Sequence, residues 1–323
     1  MKAIRKLKQR GREIAGAWSV AGASNVWPIA LLAHIGSRKT LEHRQQVKLR
    51  TVLQVLSEKY GALISGFVPT AGTDVGSRRN DKAPIWVFWY QGAENMPPVC
   101  RACYERLCRN SSGHPVRLVT GENLEQYIQL PAHVVRKVRN GRITLTHLSD
   151  IVRMSLLAEH GGLWLDATVY VSESIPEEAF GPELFSVATR GHNTGNVSHS
   201  RWAGFILGGR SGHDLFRFGR DFLFEYWRHE NRLIDYFLID FVIALAYERL
   251  PQVTAEIDAL PVGSQQKCSM QEMLCKPYNE AVYRELMQAQ VFHKLSYKQP
   301  LVPRTPQGET TLYGFLLRQT DPY

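Results

Sequence analysis

Asp150 and Arg153 stand three residues apart, and farther along the chain Asp166 closes the apolar run Leu163-Trp164-Leu165, with Thr168 just beyond. A carboxylate presented where a strand runs out lies where open α/β sheets bind ligands, and it serves equally well as a turn or capping residue. Asp150 and Arg153 neighbour each other on one helix face, either as a surface ion pair of little worth or as a grip on a ligand. Asp240, between Ile239 and Phe241, is a carboxylate in an otherwise apolar helix. Such a group is costly unless functional or paired, so it reads as a catalytic or acceptor-binding residue, or as the buried partner of an arginine. Near the C-terminus, the run Phe292-His293-Lys294-Leu295-Ser296-Tyr297-Lys298 adds an imidazole and two ammonium groups. There a lysine can face a phosphate as a point charge, whereas a lone histidine is a ligand in one reading and structural in the other.

The elements that must position these groups are legible around them. Leu148, Ile151, Val152 and Ser155 fall at helical spacing, and Gly161-Gly162 supplies a stop, so the helix hands over to a short buried strand that ends at Asp166. Further strands are expected at Ile85 to Trp89 and Val116 to Thr120, and helices at the cysteine-bearing segment after Pro97, at Glu122 to Gln129 and in the long run from Phe216 to Leu250, broken near His229 to Arg232. Strands alternating with helices predict an α/β domain with a mostly parallel sheet covered on both faces. A mostly helical segment precedes it, including an amphipathic helix over residues 43–64. The polar stretch Val68 to Pro84 reads as a linker. The expected division is a basic helical extension and linker over residues 1–80 and a catalytic domain over residues 81–323.

Several segments in this order carry a likeness: Ile85 to Gly92, Gly121 to Pro131, Thr146 to Glu173, Trp202 to Phe216, Leu233 to Phe241 and Phe292 to Lys298. Over roughly residues 84 to 315 the chain resembles the capsular polysaccharide synthesis family, related to mannosyltransferases and glucosylating toxins of the GT-A fold. That resemblance implies transfer of a sugar from a nucleotide-sugar donor to a surface polysaccharide or lipid-linked glycan. It assigns Asp150 and Arg153 to the donor-sugar hydroxyls. It also implies a divalent metal, Mn²⁺ or Mg²⁺, on an Asp-x-Asp motif. Here that motif is Asp166-Ala167-Thr168, a departure that leaves a neutral oxygen at the second position. His293 is the expected third ligand and Lys294 or Lys298 the expected contact to the diphosphate. Trp89 is chosen over Trp86 to stack on the nucleotide base, core packing being the alternative for either tryptophan. Asp166 and Asp240 are the catalytic candidates. The missing carboxylate keeps a competing reading open, a membrane- or nucleic-acid-associated protein that uses the same fold without turnover.

The charge is unevenly placed. Residues 1–50 hold 11 Lys/Arg against 2 Asp/Glu, and the remainder holds 28 of each, so the whole +9 excess lies in the N-terminal arm. Lys2, Arg5, Lys6, Lys8, Arg10 and Arg12 with Ile4, Leu7, Ile14 and Trp18 suit an anionic membrane surface through residues 1–20. A solvated basic end is the plain alternative. The arm has no recognition-helix or RNA-binding signature, which argues against nucleic acid. The apolar run Trp27 to Ile35 is too short to cross a bilayer. With five cysteines, odd in number and irregularly spaced, the expected place is cytoplasmic, peripheral at the inner membrane face. Cys100, Cys103 and Cys108 read as one buried helix face rather than a zinc site.

Overall fold

The computed structural model describes residues 2–32, 37–70, 82–181, 183–189, 195–263 and 269–319. Two long helices, α1 (Lys2–Ala21) and α2 (Arg38–Lys59), open the chain and are followed by the short α3 (Gly61–Gly66). Then come β1 (Ile85–Phe88), α4 (Pro98–Arg109), β2 (Val116–Val119), α5 (Ala132–Arg139), α6 (Leu145–His160) and β3 (Gly162–Leu165). The chain continues through β4 (Val169–Val171), β5 (Ile206–Gly209), α7 (Asp214–His229), α8 (Leu238–Arg249) and α9 (Pro251–Ala259). The last part holds α10 (Ser269–Met273), α11 (Glu280–Ala289), β6 (Phe292–Lys294) and α12 (Leu312–Arg318).

The main sheet runs β2-β1-β3-β5, with β1 parallel to both β2 and β3 and β5 antiparallel to β3. This is the expected α/β architecture, a mostly parallel sheet flanked by helices and preceded by N-terminal helices. All four residues of β1 and of β3 are buried, as strands covered on both faces require. Alternation divides them. Trp86, Phe88 and Trp164 join the apolar cluster of α6, α7 and α8, whereas Ile85, Val87, Leu163 and Leu165 pack on the other face with Val169 and Val171.

The hinge between α6 and β3 explains its two glycines. Gly161 and Gly162 have φ of 64° and 91°, where side chains are strained, and a Cβ on Gly162 would lie 2.2 Å from the Pro84 carbonyl oxygen. Only glycine lets β3 start this close to the chain entering β1. Beyond the sheet, β4 pairs antiparallel with β6, setting Val169 opposite Lys294 and Tyr170 opposite His293.

The N-terminal helices pack on the body. Ala17 and Val20 of α1 and Val52 and Leu56 of α2 belong to the same apolar cluster as α6 to α8. Gly16 lets α1 press against the chain between α7 and α8, since a Cβ there would sit 1.9 Å from the Leu233 carbonyl oxygen. Lys48 on α2 pairs with Asp235 in that connection at 2.7 Å, and Lys59 pairs with Glu230. The opposite side of α1 carries exposed Leu7, Lys8, Arg10, Arg12 and Trp18. No helix among the described residues is long and apolar enough to cross a membrane.

Three local expectations are corrected. Residues 122–129 form only a 3₁₀ turn at Leu124–Gln126. There Asn123 accepts from Thr120 N at 2.7 Å and donates to Leu118 O at 3.0 Å, so its side chain competes with helical bonding. The break between α7 and α8 is longer than expected because Asp235 ties its own turn, accepting from Phe237 N at 2.8 Å. Cys100 and Cys103 are buried on α4, but Cys108 is exposed. Most of the expected linker, residues 71–81, lies outside the described residues.

Candidate active site

At the carboxyl end of β3 a cleft of about 700 Å³ opens between α6, the start of α8 and the segment after β6. That size suits a ligand of a few hundred daltons or more, the usual range being roughly 300–1,000 Å³. Of the nine candidate residues, eight line it: Asp150, Arg153, Asp166, Thr168, Asp240, Trp89, Lys294 and Lys298.

Asp166 is the hub. Its backbone N–H donates to Phe205 O at 3.0 Å, and its carbonyl accepts from Val169 N at 2.9 Å, so the turn is held at both ends. Its Oδ1 accepts from Arg153 Nη2 and Trp164 Nε1, each at 3.0 Å, and its Oδ2 accepts from Lys294 Nζ at 2.7 Å. Burial acts to raise the Asp166 carboxyl, but Lys294 and Arg153 outweigh it and hold the group below its ordinary value. Arg153 is itself buried, lies 4.9 Å from the Trp164 ring centroid and reaches Asp150 Oδ1 at 3.3 Å. One guanidinium thus joins the two aspartates, and the planar fork is suited to that geometry.

Asp240 faces this cluster from α8. It accepts from Trp202 Nε1 at 2.9 Å. Burial pushes its carboxyl up to about 6; hydrogen bonds from Trp202 and Asn196 pull down, and nearby Asp150 pushes up. Gly204 lies between the groups: a methyl there would stand 3.6 Å from Arg153 Nη1 and 3.8 Å from Asp240 Oδ1.

Trp89 is part-exposed at the cleft, bonded through Nε1 to Asn95 O at 3.2 Å and edge-on to Tyr297. Trp86 instead points into the core and donates to Gly161 O at 2.8 Å. Of the two tryptophans, Trp89 lines the cleft and Trp86 does not.

Residues 34–313 match the family described as "Capsular polysaccharide synthesis protein". The chain belongs to that family. The match begins ahead of α2 and takes in every cleft residue named above. Over 102 residues the chain is 29% identical to "O-glycosyltransferase PaGT" of Phomopsis amygdali, covering 29% of this chain and 25% of that protein. It is 28% identical over 102 residues to "O-glycosyltransferase braB" of Annulohypoxylon truncatum, covering 29% of this chain and 24% of that protein. The chain therefore spans about a quarter of the length of these curated relatives. Among solved structures it is similar to "PaToxG Glycosyltransferase" with a TM-score of 0.37 and 12% identity, over 67% of this chain and 83% of that one.

In this member of the family the three side chains expected to hold a metal do not all meet. His293 is buried and absent from the cleft wall. It is one residue from Lys294 on β6, so alternation turns it the other way, where Gln290 meets its Nδ1 at 3.1 Å. Burial brings it down to about 4, so it is a neutral, enclosed imidazole. Around Asp166 the set that remains is one carboxylate and the Thr168 hydroxyl, and Lys294 Nζ already bridges them, 2.7 Å from the first and 2.5 Å from the second. No group of three or more His, Cys, Asp or Glu suited to a metal occurs among the described residues. Mg²⁺ and Mn²⁺ are held through one or two free carboxylates completed by water and phosphate oxygens. Here the one carboxylate is already engaged by Arg153 and Lys294 while its neighbour is a neutral hydroxyl, so these residues do not fit that demand.

Sequence reasoning missed Trp202, Asn196, Gly204 and Tyr236, which also line the cleft. Trp202 and Gly204 sit in the Trp202 to Phe216 segment that carried the likeness, so that segment held an unused signal. Tyr236 accompanies Lys298, whose Nζ donates to its hydroxyl at 3.2 Å.

Proposed function

We propose that the protein is a nucleotide-sugar-dependent glycosyltransferase acting on a surface-polysaccharide or lipid-linked acceptor. The observation that carries the reading is Arg153 clasping Asp150 and Asp166 in the wall of the cleft, with the Asp240 carboxylate opposite. Asp150 and Arg153 hold the donor-sugar hydroxyls, Trp89 lies against the base, and the cationic side chains face the diphosphate. Polar groups held this firmly fix a sugar without reorganising as it binds. The family match and the printed names of the two O-glycosyltransferases support the transferase class.

In the reaction the bond from the sugar's anomeric carbon to the diphosphate oxygen breaks, and its electron pair leaves with the diphosphate. An acceptor hydroxyl supplies the pair for the new bond, and its proton passes to Asp240, whose raised carboxyl suits a base working near neutrality. The outer face of α1, with Leu7 and Trp18 exposed between Lys8 and Arg10, docks on an anionic membrane at the cytoplasmic side and brings the cleft to a lipid-linked acceptor.

The test is a thermal-shift panel of nucleotide sugars, followed by donor hydrolysis in Asp166→Ala. A donor that raises the melting temperature and is no longer turned over by the variant supports the reading. A flat panel, or a variant as active as the parent, removes it.

A further inference from the structure

Resting on the glycosyltransferase reading, we infer that the cation serving the donor's diphosphate is built into the chain as the Lys294 ammonium, so that donor binding needs no divalent metal. The Lys294 ammonium touches both side chains where an Asp-x-Asp motif would meet a metal, Asp166 at 2.7 Å and Thr168 at 2.5 Å. Its place follows from topology, because β6 pairs with β4 and sets Lys294 opposite Val169, next to Thr168.

The rest of the arrangement agrees with that. Both Asp166 oxygens already accept, Oδ1 from Arg153 and Trp164 and Oδ2 from Lys294, so a divalent ion would first have to expel an ammonium. The second position is a threonine with no charge to offer such an ion. A second ammonium, Lys298, stands in the same cleft and is oriented by Tyr236. The Lys294 side chain keeps about a quarter of its surface open, 27%, and it lines the cleft, so a phosphate oxygen can approach it. Asp166 then positions the ammonium, and Arg153 balances the carboxylate that does so. As the anomeric carbon–oxygen bond breaks, the negative charge on the departing phosphate is met by the cationic Lys294 side chain.

The experiment is calorimetric titration of the full chain with UDP, GDP, CDP and ADP, once with EDTA and once with excess Mn²⁺. In parallel, Mn²⁺ alone is titrated and followed by electron paramagnetic resonance. The expected result is one diphosphate bound equally well in both buffers, with no stoichiometric Mn²⁺ site. Lys294→Met should weaken that binding by about ten- to a hundredfold, as loss of a charge-assisted contact does. Lys294→Arg should recover much of it. Binding that appears only with Mn²⁺, a stoichiometric Mn²⁺ site on the parent, or an unchanged affinity in a folded Lys294→Met overturns the inference and leaves the glycosyltransferase reading standing. Failure of every diphosphate in both buffers overturns the nucleotide-sugar reading, and the inference with it.

Discussion

Arg153 in the middle of α6 donates to Asp166 at the end of β3 at 3.0 Å, so the helix that enters the cleft and the strand that leaves it share one part-buried ion pair. The guanidinium's other arm reaches Asp150. A single planar group therefore sets the spacing of two carboxylates, which a lysine cannot do from one nitrogen.

Arg153→Lys is accordingly expected to fold, to melt at a lower temperature and to bind the donor about tenfold more weakly. Arg153→Ala leaves Asp150 without its cation and Asp166 with Lys294 alone, at a cost of about 3 kcal/mol. Chemical denaturation and donor titration of both variants check this. Equal donor affinity in parent and Arg153→Lys would mean that the fork is not used.

Asp240 predicts a pH dependence. Its carboxyl is raised from the ordinary value of 3.8 to about 6, chiefly by burial. As a base it works ionised, so turnover should climb as the pH passes about 6 and level off above. Stability moves the other way. The folded protein holds this proton more tightly than the unfolded chain, so the contribution is fully present below about pH 4 and is lost as the pH rises through about 6. Asp240→Asn should abolish turnover and remove that slope from the stability profile. A rate profile for the parent that is flat between pH 5 and 7 would take the base role away from Asp240.

Gly204 offers a finer probe. It has no left-handed backbone, and an added methyl would lie at ordinary contact distance, 3.6 Å from Arg153 Nη1 and 3.8 Å from Asp240 Oδ1. Gly204→Ala should thus change stability by no more than about 0.5 kcal/mol. The methyl nevertheless fills space between the two groups assigned to sugar and acceptor. A several-fold rise in donor KM at unchanged melting temperature is expected, and steady-state kinetics decide.

How far the sequence reached depends on how local each relation is. The α6–Gly-Gly–β3–Asp166 unit was legible because helical spacing, a glycine stop and a short apolar run are all contained in one stretch. Asp150 and Arg153 came with it. The partnership of Lys294 with Asp166, 128 residues apart, was not legible, because it depends on β6 pairing with β4. Nor was the choice between His293 and Lys294, where a shift of one residue along β6 exchanges the buried face for the cleft. Tyr236 and Phe237 reach the cleft from a connection whose shape is set by α1, α2 and Asp235, none of which the local pattern near Tyr236 reveals.

Gly162→Ala tests the hinge. The residue has φ of 91°, and its Cβ would stand 2.2 Å from the backbone oxygen of Pro84, which no side-chain rotation relieves. Backbone strain and the forced shift of β3 against β1 should together cost about 3 kcal/mol or more. In urea the midpoint should fall at unchanged slope, the signature of lost stability rather than altered compactness. A midpoint equal to that of the parent would show that the chain before β1 yields easily.

The outer face of α1 can be changed without touching its packed side. Leu7 is 71% and Trp18 62% exposed, whereas Ala17 and Val20 are buried against the body. Leu7→Glu with Trp18→Glu should therefore leave the melting temperature unaltered. On vesicles containing phosphatidylserine the pair removes two apolar anchors and adds repulsion from the anionic surface, each worth about 1 kcal/mol or more. Co-sedimentation should fall at least about tenfold, and raising the salt should weaken the parent in the same direction by screening the basic residues. If the doubly substituted chain sediments with these vesicles as well as the parent does, α1 has no part in membrane docking and the acceptor is reached some other way.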